Sequence, residues 1–327
     1  MRRQFLAIAG STLLALLVSP SVRGQATVRR IGLLTGFARA DVEANMKLLR
    51  QELEKLGWVD GRNIVFLEPR AAEGINERLP GLAAELAAQT PDVIVVSGTT
   101  ATRAAMQATR TIPLVMAGVG NPLENGIVPS LRHPGGNVTG STFLADETTR
   151  KLLQLLKEAV PRLRSVALFV NATNEAAAPL AKLIRADAPT LGLRAQILEV
   201  SKPSDFESGF DAILREGTES IVQIPEALIR SKRESIGEFA RRHKIPLAVV
   251  GGRPSMPAGA LLGYAPANQY PQLTARYIDQ ILKGAKPGDL PVEQPSRFEL
   301  VVNMSAANAL GITIPQSLLV VANEVIQ

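Results

Sequence analysis

The 327-residue chain contains no cysteine. That removes disulfides, thiolate nucleophiles and cysteine-based metal sites at once. Histidine is nearly as scarce: His133 precedes Pro134 in a glycine-rich stretch, and His243 ends a basic helical pattern. Two histidines so far apart leave little material for a zinc site or a histidine-based triad, and both read as surface residues. Aromatic residues make up 4% of the chain, and Trp58, in a turn after Gly57, reads as structural. Enzymatic signatures are missing too: there is no G-x-S-x-G elbow, no Walker loop and no H-E-x-x-H pair. Gly118-x-Gly120 lacks the third glycine of a dinucleotide fingerprint and runs into Pro122, so it suits a loop that lets a small ligand approach the backbone. Carboxylates are plentiful, but no pair can be placed face to face. The expectation is a protein without catalytic residues, cofactor or metal.

What is present is an ordinary globular composition, 46% hydrophobic and 20% charged. The first 26 residues have the form of an export signal. Arg2 and Arg3 open it, Phe5 to Val18 form a largely apolar run of 14 residues, and Gly24-Gln25-Ala26 supplies small residues for cleavage. A permanent membrane anchor needs about 20 apolar residues, so the expectation is a soluble protein exported to the periplasm. Arg2-Arg3-Gln4-Phe5-Leu6 also fits a twin-arginine signal, which leaves the Sec and twin-arginine routes both open. Removing the segment takes away Arg2, Arg3 and Arg23 and leaves 33 basic against 30 acidic residues, a net +3 instead of +6. That charge is too mild for a nucleic-acid partner, and no basic stripe is interleaved with aromatics.

From residue 29 strands and helices alternate. Apolar runs at Ile31–Thr35, Ile64–Leu67, Val93–Val96 and Ile112–Met116 predict strands, with helices near 41–56, 77–89 and 100–110. The proline- and glycine-rich stretch 121–140 breaks the rhythm, and the pattern then starts again. Val166–Val170, Ala195–Val200, Ile221–Ile224 and Leu247–Val250 predict a second set of strands, with helices near 146–159, 175–190, 205–216 and 229–243. A last strand–helix unit follows at 259–284, then a strand at Phe298–Val302. The fold class is α/β: two doubly wound parallel-sheet lobes joined by a multi-strand hinge. Residues 27–141 plus 262–288 are assigned to the first lobe, and 142–261 plus 289–327 to the second.

Parallel sheets bind ligands beyond the carboxyl ends of their strands, so the natural site is a cleft between the lobes. The segment VIVVSGTTATRAA, residues 93–105, stands at such an end. A helix start offers free N–H groups to a carboxylate or phosphate, and Ser97, Thr99 and Thr100 would add hydroxyl donors. Simple N-capping accounts for one hydroxyl; three with a glycine go beyond it. Phe37, Phe143 and Tyr264 stand at or just after predicted strand ends, as ligand-stacking candidates or as core and hinge residues.

Several motifs resemble one known family. GWVDGRN (57–63), ERLPGLAAEL (77–86), IPLVMAGVGNP (112–122), PSLRHPGGNVTG (129–140), LLKEAVP (155–161) and the stretch 281–315 are similar to the substrate-binding proteins of ABC importers, in the branch with tryptophan- and tyrosine-binding members. The similarity spans nearly all of 29–327. It implies a periplasmic binding protein of type I, with two lobes that close around a small-molecule solute and deliver it to a membrane permease. It implies ligand contacts at Ser97, Thr99 and Thr100, and at Ala117, Gly118 and Asn121, where the family's pattern has Asp in place of Asn121. The Pro-Asp-Pro of the pattern stands here as Pro225-Glu226-Ala227, so Glu226 keeps a charge for a ligand ammonium, or is a solvated acid at a helix start. Its Ser-Tyr-Gly-Pro segment stands as Gly263-Tyr264-Ala265-Pro266. Two other readings stay open: a ligand-sensing module for a membrane signalling partner, and a two-lobe transferase, for which no catalytic acid, base or nucleophile can be placed. A cytoplasmic repressor of the same fold is disfavoured, because no helix-turn-helix precedes the first strand.

Overall fold

Aliphatic and β-branched runs become buried parallel strands, and the Ala- and Leu-rich stretches between them become the covering helices. The computed structural model describes residues 28–327, so the export-signal reading of residues 1–26 lies outside the described residues. The first lobe contains β1 (Arg29–Thr35), β2 (Ile64–Phe66), β3 (Arg70–Ala71), β4 (Val93–Ser97), β5 (Leu114–Val119) and β6 (Val138–Thr142). Their spatial order is β2-β1-β4-β5-β6, all parallel, with β3 paired to the end of β1. The order reverses between β1 and β4, the point at which doubly wound sheets open a crevice. Helix α1 (Arg39–Lys55) buries Met46, Leu49 and Leu53, the stripe its spacing predicts. Helices α2 (Leu79–Ala88) and α3 (Thr99–Ala108) follow β3 and β4.

The second lobe starts at α4 (Ala145–Ala159) and holds β7 (Ser165–Asn171), β8 (Arg194–Val200), β9 (Ile221–Gln223), β10 (Leu247–Val250), β11 (Leu262–Pro266), β12 (Phe298–Asn303) and β13 (Glu324–Ile326). Their order is β13-β12-β11-β10-β9-β7-β8, parallel except for the β11–β12 pair. Here the order reverses between β7 and β9. Its core is aromatic as well as aliphatic. Phe169 and Phe206 stack at 4.9 Å, and Phe210 and Phe239 at 4.3 Å. Fully burying each such side chain contributes about 1.5–3 kcal/mol.

The chain passes between lobes three times. It leaves the first lobe after β6, returns after β11, and leaves again between Glu293 and Phe298. Residues 262–266 had been expected in the first lobe, but β11 belongs to the second sheet and the return comes after Pro266. Helix α9 (Tyr270–Leu282) then packs on the first lobe, where Trp58 Nε1 donates to Asp279 Oδ1 at 2.9 Å. At the third passage Glu293 lies beside β6: its N–H donates to the Gly140 carbonyl and its carbonyl accepts from Thr142 N–H, both at 2.9 Å.

Three local expectations change. The stretch 121–140 was expected as a break, yet its end begins β6, all of whose residues are buried. Only Val138 in that strand is aliphatic; Thr139 and Ser141 are buried because their hydroxyls donate to the Leu290 and Met116 carbonyls. The helix expected at 229–243 is two, α7 (Ala227–Ser231) and α8 (Arg233–Arg242), broken at Lys232. The one expected at 175–190 is α5 (Ala177–Asp187) followed by a 3₁₀ turn. Among the described residues no helix is long and apolar enough to cross a membrane.

Candidate functional site

The carboxyl ends of both sheets face one cavity of about 800 Å³ between the lobes. It collects the residues that follow β1, β4 and β5 on one side and β7, β9 and β10 on the other. Both sheet-order reversals therefore open into the same space. Of the expected site residues, Phe37, Ser97, Thr99, Thr100, Ala117, Gly118, Asn121, Phe143 and Glu226 line it.

The loop after β4 sets up its polar wall. Gly98 is the N-cap of α3 with φ of 96°, a conformation L side chains rarely adopt, and no side chain caps the helix. The first N–H groups of α3, at Thr99, Thr100 and Ala101, have no carbonyl one turn earlier to accept them. The capping reading of these hydroxyls therefore gives way. The Thr100 hydroxyl is buried without a partner. Thr99 is 7% exposed, and its hydroxyl makes no hydrogen bond among the described residues. Thr102 one turn on is different: its hydroxyl donates to the Gly98 carbonyl at 2.9 Å and fixes the turn. The Thr99 hydroxyl and the free N–H groups are donors at one corner of the cavity, and the Thr100 hydroxyl is sealed behind that surface.

The apolar wall comes from two separate elements. Phe143, just after β6, stacks on Tyr270, the first residue of α9, with ring centroids 6.4 Å apart. Gly118 makes this possible: it has φ of 67°, and a Cβ there would stand 2.7 Å from the Tyr270 ring. Gly118→Ala is expected to push Tyr270 out of the wall and to cost about 1–3 kcal/mol of stability from the backbone alone. Urea unfolding of the variant checks it; an unchanged midpoint would mean that neither the left-handed backbone at residue 118 nor the contact with Tyr270 is strained by the added methyl group.

Tyr264 is a correction. It is absent from the cavity and stacks on Phe298 at 5.6 Å, against the second-lobe core. Side chains alternate along a strand, so on β11 its neighbour Ala265 faces the cavity instead. Tyr270, six residues later, supplies the aromatic. Glu226 lines the cleft but is engaged locally: Oε2 accepts from Leu228 and Ile229 N–H at 2.8 and 3.2 Å, and Oε1 accepts from Asn171 Nδ2 at 2.9 Å. Burial pushes its carboxyl above the usual range, against the pull of these bonds and of Asn76. Its first duty is to cap α7.

Sequence reasoning also missed a carboxyl pair. Asp146, in the first turn of α4, and Glu124, in the loop after β5, both line the cavity, and Asn121 Nδ2 donates to Glu124 Oε2 at 3.1 Å. Burial, reinforced by Glu124, pushes the Asp146 carboxyl up to about 6. The lobes also touch across the cavity mouth. Asp41 of α1 forms ion pairs with Arg230, Nε to Oδ1 at 3.3 Å, and with Arg233, Nη1 to Oδ1 at 3.1 Å. Asn76 Nδ2 donates to Thr173 Oγ1 at 3.2 Å, and Arg103 pairs with Glu175.

Two α/β lobes that enclose a polar and aromatic cleft at the ends of both sheets define the class of solute-binding proteins that close around their ligand. The chain belongs to the ABC transporter substrate-binding protein family, whose model matches residues 29–326. It is 25% identical over 293 residues to a tyrosine-binding protein of Clostridioides difficile, covering 86% of this chain and 81% of that one. It superposes with a TM-score of 0.84 on a conserved domain protein from Vibrio cholerae, 27% identical, covering 91% of this chain and all of the other. A protein from Streptococcus pneumoniae solved in complex with L-Trp gives a TM-score of 0.83 at 24% identity, covering 92% of this chain and all of that one.

Proposed function

We propose that this chain is the exported receptor of an ABC importer, that it closes on a small polar solute, an amino acid, in the periplasm, and that it presents the closed form to a membrane permease. The observation that carries the ligand reading is the start of α3: free N–H groups and the unpartnered Thr99 hydroxyl at one corner of the inter-lobe cavity. A carboxylate suits such a corner, because charge-assisted hydrogen bonds and the helix dipole act on it together. Phe143 and Tyr270, with Phe37 nearby, form an apolar wall for the amino acid's side chain. The likeness to a tyrosine-binding protein and to a protein solved with L-Trp supports an aromatic amino acid as the first candidate. Closure is a two-state movement of the lobes that the ligand biases.

A thermal-shift panel of amino acids, small carboxylates, nucleosides and sugars tests this reading. A ligand at a hundred times its dissociation constant stabilises the bound form by about 2.7 kcal/mol, a shift of several degrees. The expected result is a shift with L-tyrosine or L-tryptophan. A shift with sugars or nucleosides alone would overturn it.

A further inference from the structure

Helix α7 carries Arg230 to its pairing with Asp41, but its first turn also meets the other lobe through apolar and backbone atoms. Ala227 is 8% exposed and stands apart from the hydrophobic core of its own lobe, which takes in the next two residues, Leu228 and Ile229. The first lobe lies against Ala227 instead. Gly36 follows β1, and its carbonyl accepts from Gly74 N–H at 2.9 Å, so the two glycines are held side by side. A Cβ on Gly36 would stand 3.3 Å from Ala227 Cβ, tighter than side chains ordinarily pack. The three atoms nearest a Cβ on Gly74 all belong to α7: Leu228 Cα and Ser231 Oγ at 3.4 Å and the Ala227 carbonyl oxygen at 3.5 Å. Gly74 is buried although Glu73 and Ile75 on either side are exposed. We infer that Gly36 and Gly74 form a seat bare of side chains in the first lobe, that α7 of the second lobe docks in it, and that this contact sets how far the cleft closes. The seat rests on the lobe closure proposed above, but not on the identity of the solute.

Close contact of this kind has two states rather than a range. Seated, α7 packs against glycine backbone; separated, both surfaces hydrate. The polar contacts on either side are more tolerant. Asn76, two residues past Gly74, donates from Nδ2 to Thr173 Oγ1 at 3.2 Å, and Arg230 reaches Asp41 at 3.3 Å. Flexible side chains hold such contacts over a span of separations, whereas Gly36 and Ala227 meet through atoms next to the backbone. Residue 36 therefore fixes the limit of closure. Gly36, Asn76, Glu226 and Ala227 also line the cavity, so seating α7 brings one of its walls into place.

A chain without cysteine lends itself to a cross-linking test. A disulfide needs Cβ atoms about 3.5–4.5 Å apart, so Gly36→Cys combined with Ala227→Cys is placed to bridge the lobes once α7 is seated. Oxidised glutathione takes up the two electrons: the two protein thiols become one disulfide, and the glutathione disulfide becomes two glutathione thiols. Non-reducing mass spectrometry and small-angle scattering read the double variant alone and with L-tyrosine or L-tryptophan. Each single variant controls for bridges between molecules, and melting curves show that the proteins are folded. The expected result is an intramolecular disulfide in the ligand-free protein, a smaller radius of gyration when bridged than after reduction, and faster bridging with the amino acid.

A second variant works in the opposite direction. Gly36→Val adds two methyl groups beyond a Cβ that already crowds Ala227, so it is expected to prop the lobes apart, enlarge the ligand-free radius of gyration and weaken amino-acid binding about tenfold. Adding Ala227→Gly removes the opposing Cβ and is expected to restore the radius. No intramolecular disulfide in a folded double variant under excess oxidant overturns the seat. Equal radii before and after reduction overturn it too, because α7 would then be docked in every form. So does a Gly36→Val radius that is unchanged, or that Ala227→Gly fails to restore. If bridging and radii behave as expected but neither amino acid alters the bridging rate, the seat stands and the aromatic amino-acid reading fails.

Discussion

Thr99→Val with Thr100→Val is expected to weaken the binding of an amino-acid ligand by about 10- to 10²-fold, through the loss of the Thr99 hydroxyl. Valine keeps the β-branched shape and removes only the two hydroxyls. A hydrogen bond to a charged group contributes about 1.5–3 kcal/mol, and tenfold in affinity corresponds to 1.4 kcal/mol. The loss is that of one bond, because the Thr100 hydroxyl has no surface on the cavity. Stability moves the other way. The Thr100 hydroxyl is buried without a partner, so replacing it with a methyl group removes a desolvation cost. The melting temperature of the ligand-free variant is therefore expected to hold or rise slightly. If it falls by several degrees with affinity unchanged, the hydroxyls are structural and the carboxylate site lies elsewhere.

Asp41→Ala is expected to have the second-largest effect. Asp41 is 8% exposed at its side chain and holds Arg230 and Arg233 from the other lobe. Breaking a fully buried ion pair costs about 3–5 kcal/mol. Here the arginine side chains are 20% and 31% exposed, so solvent screening reduces that to about 1–3 kcal/mol. The loss falls on the closed form, because separated lobes let both guanidiniums hydrate. Affinity is expected to drop about 5- to 150-fold, and small-angle scattering at fixed ligand to report a larger radius of gyration. The wild-type affinity should fall with added salt, which screens the partly exposed pairs, and the variant's should fall less. An Asp41→Ala protein with unaltered affinity and radius would remove this bridge from the account of closure.

Much of this architecture was legible in the sequence because burial and residue type coincide. Val93–Val96 is entirely apolar and entirely buried, and the Met46, Leu49 and Leu53 stripe of α1 faces the sheet as its spacing requires. β6 was not legible, because VTGST is buried through hydrogen-bonding hydroxyls and a glycine rather than through aliphatic surface. The α3 start could be read because strand, glycine and hydroxyls are contiguous. The cavity's other features depend on residues distant in the chain. Glu124 and Asp146 are 22 positions apart, on a loop and a helix, and periodicity says nothing about such a pair. Tyr264 was misplaced by the two-residue alternation of its strand. Tyr270 carried a usable signal: an aromatic next to Pro271 at the opening turn of a helix, just past a strand end.

The most direct test is a crystal structure of the chain with L-tyrosine or L-tryptophan, whichever shifts its melting temperature more. The account predicts the ligand carboxylate within hydrogen-bonding distance of the Thr99 hydroxyl and the α3 N–H groups, with the side chain against Phe143 and Tyr270. A carboxylate bound instead to the second lobe, or a ligand seated outside the cleft, would contradict it.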